Sequence, residues 1–140
     1  MKTTTSTAIR KFMTPSPQTI GAEQSLDQAH QVMRARRVRH LPVLKGGHLV
    51  GVISQRDLML IETLPGVDPK EVPVEDAMTT DIYAVAPRTP VATVATHMAE
   101  HKLGSAIVRE GERVVGVFTV TDACRALARL VSPPPARSRA

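Results

Sequence analysis

The chain repeats itself. Slid by 65 positions, Met13-Thr14 falls on Met78-Thr79, Met33 on Met98, Val43 on Val108 and Gly46 on Gly111. Val50-Gly51-Val52 falls on Val115-Gly116-Val117 and Asp57 on Asp122, with no gap from residue 13 to residue 58. Conservative pairs fill the register: Ile20 with Val85, Leu26 with Val91, Ile53 with Phe118, Ser54 with Thr119. A register held through helical, turn and strand patterns alike means two structural copies of one unit.

Each copy reads β-α-β-β-α. Residues 18–20 and 83–85 are short strands. Residues 25–36 are helical, with Leu26, Ala29, His30 and Met33 on one side at i, i+3, i+4, i+7. Residues 90–102 repeat this with Val91, Val94, Ala95 and Met98, and Pro90 suits the first helical turn. Residues 41–44 and 49–54 form a hairpin across Lys45-Gly46-Gly47-His48, and residues 106–109 and 114–119 do so across Glu110-Gly111-Glu112-Arg113. Closing helices cover residues 55–62 and 120–130. The first strand reaches the second through a helix, so those two are parallel. The fold class is α+β: two three-stranded sheets with helices on one face, the other faces buried against each other about a pseudo-two-fold axis. A copy of about 55 residues is marginal alone, which gives the duplication its physical use.

The expected organisation is a flexible N-terminus (1–8), repeat 1 (9–62), a linker (63–73) broken by Pro65, Gly66, Pro69 and Pro73, repeat 2 (74–131), and a disordered basic tail (132–140). Residues 1–8 have no apolar stretch and no apolar run spans a membrane, so neither a signal peptide nor a membrane span is expected. The single Cys124 allows no internal disulfide, and a cytoplasmic location is the default. Charge is uneven. Residues 1–65 carry nine Lys/Arg against four Asp/Glu, and residues 66–131 carry seven against nine. With no Trp, one Tyr and two Phe, the composition argues against aromatic base-stacking platforms. No Gly-x-Ser-x-Gly, Walker loop, Cys/His pair or paired carboxylates with a credible base occurs, so the chain is not read as an enzyme.

Val38-Arg39-His40-Leu41-Pro42-Val43, the hairpin, and Gly51-Val52-Ile53-Ser54-Gln55-Arg56-Asp57-Leu58 closely resemble a CBS domain. Gly116-Val117-Phe118-Thr119-Val120-Thr121-Asp122 resembles a second one. The resemblance covers residues 9–131. It implies a regulatory CBS-domain pair (Bateman module) that binds AMP, ADP, ATP or S-adenosylmethionine in clefts between its copies, and that pairs as a homodimer.

Two site groupings follow from that resemblance. In the first, Ser54, Arg56 and Asp57 at a helix start hold ribose and phosphate, while Ile82, Tyr83 and Ala84, with Gly104, Ser105, Ala106 and Ile107, form the adenine pocket. In the second, Thr119, Thr121 and Asp122 work with Thr14, Pro17, Gln18 and Thr19, and with Arg39, His40, Leu41 and Pro42. A helix N-terminus favours phosphate through its free N–H groups. Thr121 adds no charge where repeat 1 has Arg56, so the first grouping is the stronger expectation for phosphate. The plain alternative is that Ser54/Asp57 and Thr119/Asp122 are capping boxes. Arg39 is the best phosphate contact of the arginine cluster, with Arg34 and Arg36 read as helix-end cations. His97 and His101 have metal-pair spacing but no third ligand near in sequence, and no metal site is expected. Cys124 reads as a small core residue. The competing functions are a dimerisation scaffold with vacant clefts and a nucleic-acid-associated module using the arginine cluster. A regulated partner protein is compatible with the first reading.

Overall fold

The computed structural model describes residues 7–132; the expectations for residues 1–6 and 133–140 lie outside them. Repeat 1 contains β2 (Ile20–Gly21), α1 (Leu26–Arg36), β3 (His40–Lys45), β4 (His48–Ser54) and α2 (Gln55–Glu62). Repeat 2 contains β5 (Ala84–Val85), α3 (Val91–His101), β6 (Ser105–Glu110), β7 (Arg113–Thr119) and α4 (Val120–Val131). A further strand, β1 (Thr14–Pro15), and two 3₁₀ turns, Ile9–Lys11 and Val74–Asp76, precede the repeats.

Local chemistry explains the boundaries. Ser25 caps α1 and is bonded back by Gln28, a reciprocal box that satisfies two otherwise orphaned N–H groups. Pro90 stands at the N-cap of α3 rather than inside its first turn, with ψ 139°. α1 and α3 end on residues in the left-handed region, Arg37 and Lys102, each at φ 56°. The β3–β4 turn is Gly46-Gly47 at φ 58° and 80°, a geometry only glycine adopts cheaply at both positions.

In both sheets the first strand runs parallel to the second (β2 with β3, β5 with β6), and the second and third form antiparallel hairpins. Register shifts fall at Val43/Leu44 and Val108/Arg109, the same place in each repeat. The repeat-2 sheet has four strands rather than the expected three, because β1 adds antiparallel to β7, Thr14 opposite Val117. The matching contact in repeat 1 is a single bridge, Val52 to Thr79.

These two contacts belong to a reciprocal exchange. Ile9 N–H donates to Thr89 O (2.7 Å), and its equivalent Val74 N–H donates to Gln24 O (2.7 Å). Ala8 bridges Pro90 as Pro73 bridges Ser25. Ile9 and Phe12 are buried in the repeat-2 core with Val91, Val94, Met98, Ala106, Val108 and Phe118. Val74 is buried in the repeat-1 core with Leu26, Met33, Leu41, Val43, Ile53 and Leu58. Each repeat therefore completes its core with the segment that opens the other. A contact that recurs with the roles reversed is the mark of a pseudo-two-fold relation.

Pleating sets the second buried layer. Leu41 and Val43 face the repeat-1 core, so Pro42 between them points the other way. It is nonetheless fully buried, as is its equivalent Ile107, although neither joins a helix-side core. Their cross-strand partners are Val52 and Val117. These four form the inner faces of the sheets, where the repeats meet.

His30, half-buried on the side of α1 that carries Leu26, Ala29 and Met33, meets Glu62 of α2 at 2.6 Å. One sequence expectation fails on the helices. Cys124 is exposed. α4 buries its small face, Ala126 with Ala123 beside it, and leaves Val120, Leu127, Leu130 and Val131 outside.

Candidate functional site

The seam between the sheets opens into two clefts. The larger, about 720 Å³, is lined by Thr14, Pro15, Ser16, Pro17 and Gln18 of the opening segment. Residues 36–40 line it from the end of α1 into β3, and Gly104, Val117, Thr119, Val120, Thr121, Asp122 and Arg125 line it from repeat 2. The smaller, about 190 Å³, is lined by His40, Val52, Ser54, Arg56 and Asp57, with Thr79, Asp81, Ile82, Tyr83, Leu103, Gly104, Ser105 and Ile107 opposite.

The two groupings expected from the sequence are thus brought together, and the clefts are unlike in charge. Arg36, Arg37, Arg39 and Arg125 face Asp122 in the larger cleft. Arg56 faces Asp57 and Asp81 in the smaller. The cations gather on the side where Thr121 had argued against phosphate, because the end of α1 in repeat 1 points into the repeat-2 cleft. Five of the expected residues lie off the clefts, two of them, Leu41 and Ala106, buried in the helix-side cores. Pro42 is buried beneath them, Ala84 pairs with Ile107 in the sheet, and Thr19 is absent from both linings. Arg125 and Asp81 line the clefts without having been singled out. Arg125 matches Leu60 of repeat 1, so the repeat alignment gives it no signal.

Both carboxylates are capping boxes. Ser54 N–H donates to Asp57 Oδ2 (2.9 Å), and Asp57 N–H donates to Ser54 Oγ (3.1 Å). Thr119 N–H donates to Asp122 Oδ2 (2.9 Å). Asp122 Oδ1 additionally accepts from the Thr14 hydroxyl and from Arg125 Nη1, both at 3.1 Å. Asp122 is only 4% exposed, so these bonds are what make its burial tolerable. Capping and ligand contact are compatible, since a capping carboxylate keeps lone pairs free.

His40 and Gly104 line both clefts. Arg39 and His40 correspond to Gly104 and Ser105 in repeat 2, so the pair is not duplicated. A Cβ on Gly104 would sit 3.1 Å from His40 Nε2, and the missing side chain leaves the imidazole its place. Burial holds the His40 pKa below its ordinary 6.5, with Asp57 and Asp122 pulling it up and Arg39 pushing it down. Burial raises the Tyr83 hydroxyl. The Tyr83 ring stacks on His97 (4.0 Å between centroids), and His97 stacks on His101 (4.1 Å). Among the described residues no third His, Cys, Asp or Glu joins that pair.

A duplicated module with two clefts at the seam of its halves is the class that this fold and site define. The chain belongs to the CBS-domain family, whose model matches residues 9–62 and again residues 74–129. It is 25% identical over 115 residues to CBS domain-containing protein YhcV of Bacillus subtilis (strain 168), covering 82% of this chain and 81% of that one. Among solved structures it resembles CBSX2 in complex with AMP, at TM-score 0.73 and 26% identity over 88% of this chain and 97% of that one. It also shares the fold of the CBS domain pair of protein MJ0100 in complex with 5′-methylthioadenosine and S-adenosyl-L-methionine. There the TM-score is 0.80 at 24% identity, over 89% and 98% of the two chains.

Proposed function

We propose that this CBS pair is a non-catalytic regulatory module that senses an adenine ligand, with AMP, ADP or ATP held in the Asp122 cleft. The observation that carries the reading is the convergence of Arg36, Arg37, Arg39 and Arg125 on one cleft beside the start of α4. Guanidinium groups and a helix N-terminus are two devices by which proteins hold phosphate. Ribose hydroxyls take the place of Thr14 and Arg125 as donors to Asp122 Oδ1, which frees Arg125 to turn to the phosphates. The complex of CBSX2 with AMP supports an adenine nucleotide as the ligand class. The smaller cleft, with two carboxylates against one arginine, suits an adenosine without phosphate, or S-adenosylmethionine with its cationic sulfur. Nucleic acid is the weaker partner for these arginines, because they line a cleft.

The module works as a homodimer in the cytoplasm, and a change in the angle between repeats is read by a regulated protein. Met59 and Leu60 on α2 and Leu127 and Val131 on α4 are each 60–68% exposed, an apolar surface suited to a second copy. The same surface favours the scaffold reading, in which the clefts stay vacant. No helix among the described residues is long and apolar enough to cross a membrane.

Thermal unfolding with AMP, ADP, ATP, S-adenosylmethionine and GTP tests the proposal. Saturable stabilisation by a phosphorylated adenine ligand is expected. It should be weakened at least about tenfold in Kd by Arg39→Ala, the loss of one charge-assisted contact, and little changed by Asp57→Ala. The absence of a shift with every ligand overturns the sensor reading and leaves the scaffold.

A further inference from the structure

Among the described residues His40 is the one titratable side chain that lines both clefts, and only repeat 1 has a histidine at that position, since repeat 2 has Ser105 there. We propose that His40 makes ligand binding proton-linked: phosphate in the Asp122 cleft draws a proton onto the imidazole, and the resulting cation at the seam changes what the Asp57 cleft binds. This rests on the phosphate assignment above.

The charged groups around His40 are Arg39 just before its strand, Arg36 and Arg37 at the end of α1, Arg56 and Asp57 on α2, Asp122 and Arg125 on α4, and Asp81 before β5. Without ligand, burial keeps the ring neutral near pH 7. A phosphate beside it supplies the missing counter-charge and raises its pKa, so binding takes up a proton and tightens as pH falls. The imidazolium then stands 3.1 Å from the position a Gly104 Cβ would take, on the wall of the second cleft. A cationic ligand such as S-adenosylmethionine is disfavoured there once phosphate is bound, which couples the clefts negatively. Coupling of this kind is reciprocal.

Calorimetry of the full chain with AMP, in buffers of different ionisation enthalpy between pH 6.5 and 8.5, counts the protons. AMP binding is expected to take up a fraction of one proton, adenosine binding none, and AMP binding by the His40→Gln variant clearly less than wild type. The variant comparison matters because the AMP phosphate itself titrates near pH 6. The imidazole resonance of His40 in the wild-type protein gives a second readout free of any folding defect, and its midpoint should rise on adding AMP. AMP binding with equal proton uptake by wild type and variant, or an unmoved His40 midpoint, overturns the link while leaving the phosphate assignment standing. If AMP, ADP and ATP all fail to bind, the assignment falls and the link with it.

Discussion

At the scale of the residue, Asp122 and Asp57 occupy equivalent caps with unequal duties. Asp122→Ala removes the cap, leaves Thr14 and Arg125 without their acceptor, and vacates a buried position. It should cost about 2–3 kcal/mol in urea denaturation, against about 1 kcal/mol for Asp57→Ala, which removes a cap alone. His40 adds a pH signature to stability. Its folded pKa lies below the unfolded value, so below pH 6.5 the unfolded chain binds more protons. Stability therefore declines as pH falls through 6.5 and levels off below the folded pKa. Denaturation midpoints of His40→Gln should show a flatter profile across that window. Both aspartates were legible in the sequence because capping and duplication leave the same mark twice. Arg125 was not, since its counterpart Leu60 shares no chemistry with it. Nor was the exposure of Cys124. Apolar residues stand on two sides of α4, and only packing decides that the alanine side, which permits close approach, is the one buried.

At the scale of the element, the helices and hairpins follow their sequence signals within a residue or two. The long periodic segments and the Gly-containing turns explain that agreement. The two-residue strands β2 and β5 sit slightly later than the pattern suggested, because so few residues carry no period of their own. The helix ends hold a testable strain. Lys102 is left-handed at φ 56° with a side chain attached, so Lys102→Gly relieves a local cost. Glycine's greater freedom in the unfolded chain offsets part of that gain. A net stabilisation of roughly 0.5–1 kcal/mol is expected, seen as a rise in melting temperature. Gly51 is the opposite case. A Cβ there would lie 2.5 Å from Met78 Sδ and 2.9 Å from Thr79 O, and backbone oxygen does not give way. Gly51→Ala should cost about 1–3 kcal/mol.

For the whole molecule, the exchange of opening segments was invisible in the repeat alignment. Ile9 and Val74 are equivalent, but nothing in either sequence states which core receives it. The structure assigns Ile9 to repeat 2, so Ile9→Ala should cost about 2–5 kcal/mol and reduce amide protection first around α3 and β6, far from the mutation in sequence. The apolar surface of α2 and α4 carries the dimer prediction. Leu127→Glu should shift the particle to half its mass in sedimentation while leaving AMP binding intact.

The exchange also sets a timetable for synthesis. Repeat 1 is made first, yet its core lacks Val74 until the chain has grown past residue 79. Ile9 and Phe12 have no place to dock until α3, β6, β7 and α4 have followed them. These two apolar side chains therefore stay without their partners until repeat 2 has been made. Repeat 1 can close its core once Val74 has followed it, whereas repeat 2 receives Ile9 and Phe12 only after its own strands and helices are made.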